Sequence, residues 1–137
     1  MRTLTLLLFL ILAPLALVPR AEAGEAALTV EEFQDYANGQ TLYFSQQGTP
    51  YGVEQYLPGQ KSIWQFADGT CTNGNWFEKG GMICFLYEND PTEQCWHFLK
   101  KGRSYAARAL GREPQADLDV IWRDTRPIQC KAPDLGA

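Results

Sequence analysis

The chain has one histidine, His97, and no Cys-x-x-Cys pair. That removes the ligand sets on which most protein zinc sites are built, so no metal is expected and no cofactor is implied. No glycine-rich phosphate loop is present, and no serine or cysteine nucleophile pattern accompanies the histidine. No catalytic residue is therefore nominated, and an enzyme is the least expected class. Positive charge is also short: 12 Lys and Arg stand against 16 Asp and Glu, for a formal net charge of −4. Non-specific binding to nucleic acid or to an anionic membrane is disfavoured. The only long apolar run is 6–18, short of the roughly 20 residues that span a bilayer. Internal repeats and low-complexity tracts are absent.

That apolar run has another use. Met1-Arg2 supplies a positive start, Leu6 to Val18 the apolar region, and Ala21-Glu22-Ala23 the small residues a signal peptidase reads. The pattern predicts a signal peptide over 1–23, cleaved after Ala23, and no lipid anchor. The location expected is periplasmic or secreted. Loss of Arg2, Arg20 and Glu22 makes the remaining chain one unit more negative.

The four cysteines, Cys71, Cys84, Cys95 and Cys130, all lie beyond that leader. An even number of cysteines in an exported chain argues for disulfides. Residues 24–28 are expected to be a disordered N-terminus, 29–131 one β domain, and 132–137 a flexible tail. Thr29-Val30-Glu31-Glu32 has the form of a capping box, which predicts a helix start. Val30, Phe33 and Tyr36/Ala37 give it one apolar stripe, and Asn38-Gly39 a left-handed stop. One short amphipathic helix lying against a sheet is expected.

Beyond Gly39 the chain changes to short runs rich in Tyr, Phe, Trp, Val and Ile, with turn signals about every ten residues. The candidate strands are 41–45, 51–57, 60–66, 71–77, 82–87, 94–100, 103–110 and 118–124. In the seventh, Ala106, Ala107, Ala109 and Leu110 favour helix as readily as strand. Asp68-Gly69 is the most specific hairpin signal. The fold class expected is mainly β: a single antiparallel meander or small barrel-like sheet with one N-terminal helix.

The cysteines test the register. If Cys84 faces Cys95, then Ile83 faces Trp96, Phe85 faces Gln94 and Met82 faces His97. Ile83, Phe85, Tyr87, Trp96 and Phe98 then share one face and the two cysteines the other. A Cys84–Cys95 bridge is proposed on that agreement, and Cys71–Cys130 follows by elimination. This is one of the three pairings that four cysteines allow.

Trp64, Phe66, Trp76, Phe85, Tyr87, Trp96 and Phe98 form an aromatic set that can either line a ligand cavity or fill a core. With few leucines available, core filling is the expectation; the ligand-binding candidates are Trp64, Trp76, Phe85, Tyr87, Trp96 and Phe98. His97 is read as a surface residue. Glu54, Glu78, Glu88, Asp90 and Glu93 are carboxylates capable of acid–base pairing, several of them in expected turns. Lys100-Lys101-Gly102-Arg103, with Arg108 and Arg112, is read as a solvated basic turn.

Gly74-Asn75-Trp76, Ile83-Cys84-Phe85, Tyr87-Glu88 and Cys95-Trp96-His97-Phe98 are similar to the phrase Gly-x-Trp … Ile-Cys-Phe-x-Tyr-Glu … Cys-Trp-x-Phe. That phrase occurs in uncharacterised families of small exported alphaproteobacterial proteins. The resemblance implies export and a compact antiparallel β fold, and it transfers no site residue. Lipocalin-like inhibitors of proteases and lysozymes share the size and texture, but the first strand, Gln40-Thr41-Leu42-Tyr43, lacks a lipocalin-style Gly-x-Trp. The function expected is a disulfide-stabilised exported module that binds an unknown protein or a small apolar ligand. The alternatives are a lipocalin-like carrier, or an inhibitor of an exported hydrolase acting through a loop such as 46–52 around Tyr51.

Overall fold

The computed structural model describes residues 24–132. The expected signal peptide, and residues 133–137 of the expected tail, lie outside the described residues. The elements are β1 (Glu25–Ala27), α1 (Val30–Ala37), β2 (Thr41–Gln46), β3 (Thr49–Leu57), β4 (Lys61–Phe66), β5 (Cys71–Lys79), β6 (Met82–Tyr87), β7 (Asp90–Lys101), β8 (Ser104–Ala109) and β9 (Leu118–Asp124). A short 3-10 turn, Pro114–Ala116, precedes β9.

Strands β2 to β9 pair antiparallel in sequence order, and β9 returns to pair with β2. The sheet therefore closes into an eight-stranded up-and-down barrel. Closure follows from the alternation: nearly every strand offers one row of aromatic or aliphatic residues, which a flat sheet would leave wet. Phe44 on β2, Tyr56 on β3, Trp76 on β5, Phe85 on β6, Phe98 on β7 and Leu118 on β9 all belong to the buried interior. The Ala-rich segment is strand β8, because Ala106 and Ala107 are pinned between β7 and β9. Register outweighs helix propensity there.

One expectation fails at the N-terminus. Residues 24–28 are not disordered: Glu25–Ala27 form β1, paired with Leu99–Lys101 of β7. The reason is that β7 outruns β6. Its last residues lack a partner on that side, and β1 fills the edge. Glu25 is then clamped by Arg108, whose Nη1 donates to Oε1 at 2.6 Å and Nη2 to Oε2 at 2.9 Å.

Helix α1 starts at the capping box. The Thr29 backbone N–H donates to Glu32 Oε2 at 2.8 Å, and the Glu32 N–H to Thr29 Oγ1 at 3.2 Å. Gly39, at φ 69°, carries the chain out of the helix into β2. The helix does more than lie against a sheet face. Phe33 is fully buried and packs on Tyr56, Trp76 and Phe98, with ring centroids 5.4, 5.1 and 4.4 Å away. It thus stoppers the barrel at the end where β2, β4, β6 and β8 begin. Tyr36 stacks on Tyr105 at 3.9 Å, and Arg123 sits 4.5 Å from the Tyr36 ring centroid, fixing the stopper from outside.

Cys84 is bonded to Cys95, where β6 and β7 pair, and Cys71 to Cys130. Ile83 faces Trp96 and Phe85 faces Gln94 across the same ladder. After β9 the chain crosses the outer barrel wall as a strap. Thr41 Oγ1 donates to the Arg126 carbonyl at 2.7 Å, the Ile128 N–H to Gln55 Oε1 at 3.0 Å, and Gln65 Nε2 to the Gln129 carbonyl at 2.7 Å. The Lys131 N–H reaches the Gly69 carbonyl at 2.8 Å, next to the Cys71–Cys130 bond.

No helix among the described residues is long and apolar enough to cross a membrane.

Candidate functional site

The end opposite α1 is bounded by the turns after β2, β4, β6 and β8. From it a cavity of about 480 Å³ runs into the barrel. Phe44, Trp64, Phe85, Trp96, Phe98, Ala107 and Leu118 line its wall, and Tyr51, Phe66, Asp68, Asn89 and Asp90 lie toward the mouth. This size falls in the range of small-molecule pockets, and the mix of rings with a few polar groups is their usual lining.

The aromatic candidates divide between the two ends. Trp64, Phe85, Tyr87, Trp96 and Phe98 line the cavity, together with Phe66 at the rim. Trp76 does not; it is buried at the closed end beneath Phe33. The set does both: Trp76, Phe85 and Phe98 belong to the buried core with Trp64, Tyr87 and Trp96 packed against it, and all of these but Trp76 also border the cavity. Two glycines explain how large rings lie along the wall instead of across the interior. A side chain added at Gly52 would meet Trp64 Cζ2 at 2.2 Å, and one at Gly74 would meet Tyr87 Cδ1 at 2.7 Å. Each ring lies flat over a neighbouring strand because that strand has no Cβ there.

Tyr87 uses this position to reach a buried carboxylate. Its hydroxyl lies 3.0 Å from Glu54 Oε1 and 2.9 Å from Oε2. Glu54 sits on β3 with 3% exposure and lines the cavity. Burial raises its pKa to about 7, against the opposing effect of Ser62 and of the Tyr87 hydroxyl. Ser62 lies near enough to favour the charged form, but its hydroxyl has no partner within hydrogen-bonding geometry. The Tyr56 hydroxyl, also buried, is likewise without a partner. Burial and the Glu54 charge push the phenols of Tyr56 and Tyr87 upward, so both remain protonated donors. At the mouth Asp68 and Asp90 are held below the usual carboxylate range by hydrogen bonds from Thr70 and Thr92 respectively.

Of the five carboxylates singled out in the sequence, the cavity gathers Glu54 and Asp90. Glu78 accepts from the Gly81 N–H, Glu88 from Asn73 Nδ2, and Glu93 pairs with Lys79. His97 is half-buried on β7 opposite Arg108, between the cavity residues Trp96 and Phe98 and so on the outward side of the strand. Two cations of the basic turn are paired: Asp117 accepts from both Arg108 and Lys101, and Arg108 also holds Glu25. Tyr51 belongs to the cavity mouth. The only three-member Cys, Asp, Glu or His grouping among the described residues is Cys84, Glu93 and Cys95, and both of its sulfurs are consumed in a disulfide.

The residue whose place sequence reading missed is Glu54. Strand β3 alternates Gly52, Glu54 and Tyr56 on one face with Val53, Gln55 and Leu57 on the other, and by apolar content the row of Val53 and Leu57 would be the inner one. The available signal was Tyr56 together with Gly52, a ring and a gap on the same face.

Fold and site together define a small up-and-down β-barrel, stoppered at one end and open at the other, with a carboxylate in its wall. No protein-family model, curated protein or solved structure matches the chain.

Proposed function

We propose that the protein is an exported carrier or receptor that holds a small, ring-containing apolar ligand inside its barrel, and that it works by binding and not by catalysis. The observation that carries this reading is the open cavity of about 480 Å³ walled by Phe44, Trp64, Phe85 and Trp96. An apolar guest there would remove ring surface from water at roughly 25 cal/mol per Å². Export is supported by the two disulfides and by the leader-like run at 6–18. The closed wall with its two covalent ties fits a preformed site, which lowers the ordering cost of binding.

Titration with N-phenyl-1-naphthylamine tests the proposal. Saturable one-to-one binding is expected, with quenching of tryptophan emission as Trp64 and Trp96 meet the probe. Trp64→Ala should weaken binding by about tenfold, while Trp122→Ala, on the outer surface, should leave it unchanged. Unsaturable binding, or equal loss in both variants, would remove the basis for a carrier.

A further inference from the structure

The charge pattern inside the barrel selects among apolar ligands. We infer that the cavity takes a lipophilic amine, its hydrocarbon or aromatic body against the rings and its ammonium group beside Glu54. This rests on the carrier reading above and adds the sign of the ligand's charge.

Side chains from five strands surround Glu54. On its own strand stands Tyr56; β4 contributes Ser62 and Trp64, β5 Thr72, β6 Phe85 and Tyr87, and β2 Leu42, directly opposite, and Phe44. None is a cation. Among the described residues lining the cavity the charged types are Glu54, Asp68 and Asp90, with no lysine, arginine or histidine. A carboxylate with 3% exposure ordinarily has a cationic partner or several donors. Here the Tyr87 hydroxyl donates to it and the Ser62 hydroxyl lies near enough to favour its charged form, but no cation pairs with it.

Around that carboxylate lie two unpartnered hydroxyls, each both a donor and an acceptor. The Tyr56 hydroxyl and Ser62 Oγ are buried and have no hydrogen-bond partner, and each has lone pairs to offer. An ammonium brings three N–H donors and no acceptor, which complements this arrangement. The faces of aromatic side chains lining the same space add cation–π attraction. A ligand anion would instead meet a carboxylate within and two at the mouth, and a neutral alcohol would leave Glu54 without a counter-charge.

The proton balance gives the inference a second handle. Burial places Glu54 near pH 7 before any ligand enters, so an ammonium must bind the carboxylate form. Amine affinity should then be level between about pH 8 and 9, where the ligand remains an ammonium, and fall about tenfold per unit below pH 7. A neutral acceptor bound to the protonated acid would show the reverse.

Three matched probes test this: 2-(1-naphthyl)ethylamine, 2-(1-naphthyl)ethanol and 1-naphthylacetic acid, measured by calorimetry at pH 8. The amine is expected to bind at least about tenfold more tightly than the alcohol, with the acid weakest. Glu54→Gln should bring the amine down to the alcohol while leaving the alcohol within about threefold of its wild-type value. The pH profile of amine binding to the unaltered protein gives the same answer without relying on the variant's folding. Alcohol binding without preference for the amine, an amine preference that survives Glu54→Gln, or affinity that rises as pH falls each overturns the inference and leaves the carrier reading standing. Failure of all three probes to bind overturns both.

Discussion

The two halves of the barrel interior are built from the same kinds of side chain yet end in opposite states. At the closed end Phe33 descends from α1 into a ring of Tyr56, Trp76 and Phe98, and nothing larger than ordinary packing gaps is expected between them. At the open end Phe44, Trp64, Phe85 and Trp96 surround a space of about 480 Å³. The rings alone do not decide which outcome occurs. What differs is an inserted side chain from outside the sheet at one end, and at the other two glycines that let rings lie against the wall. Packing is thus concentrated at the closed end and open space at the other.

The largest break in this contrast should come from Phe33→Ala. It removes a fully buried ring in contact with three others, and a loss of about 3–5 kcal/mol is expected in urea unfolding. Trp64→Ala, at the half-buried open end, should lose clearly less. Equal losses would mean that the two halves share the burden of stability.

Glu54→Gln should act in the other direction. The folded state raises the Glu54 pKa from 4.5 to about 7, so it holds the proton more tightly than the unfolded chain does. Native stability therefore falls as pH climbs from about 4.5 to 7 and is level above that. Replacing the acid should recover up to about 3 kcal/mol at pH 8 and nothing below pH 4. Thermal melts of both proteins across that range check the sign, and a gain that does not grow with pH would contradict it.

A smaller effect is expected from Gly74→Ala, whose added methyl meets Tyr87 Cδ1 at 2.7 Å and Ser62 Oγ at 3.1 Å. Displacing Tyr87 should cost about 1–3 kcal/mol and raise the Glu54 pKa further by removing its donor. Carbon-13 NMR of the Glu54 carboxyl reads that shift directly. An unchanged titration would show that the ring has another way to reach Glu54.

Much of this architecture was legible in the residues. The eight barrel strands, the capping box and the Cys84–Cys95 register all rest on local patterns: alternation, turn pairs and a cap. Strand β1 was not, because Glu25-Ala26-Ala27 has little strand character of its own and forms only where β7 outruns β6. Barrel closure depends on β9 meeting β2, a pairing between distant segments that no local signal encodes. The cavity was obscured for a related reason. Trp76 and Trp64 are alike in sequence, and only the position of Phe33 separates the packed one from the one beside open space. The inward position of Glu54 was hidden by an alternation whose apolar row faces outward.

The strap has a mechanical consequence. From Arg126 to Cys130 it runs across β2, β3 and β4 to β5, transverse to the strands, and acts as a hoop whose far end is covalent. Unrolling the wall at any seam under the hoop strains that bond. The β8–β9 seam lies outside it and is joined at only two register positions, Ala106↔Asp119 and Ala107↔Leu118. Opening of the barrel is therefore expected to start there, with the amides of β8 and β9 exchanging with solvent before those of β3 and β4. The hoop makes the cylinder a vessel with a built-in parting line, away from the strands that carry Glu54 and Trp64.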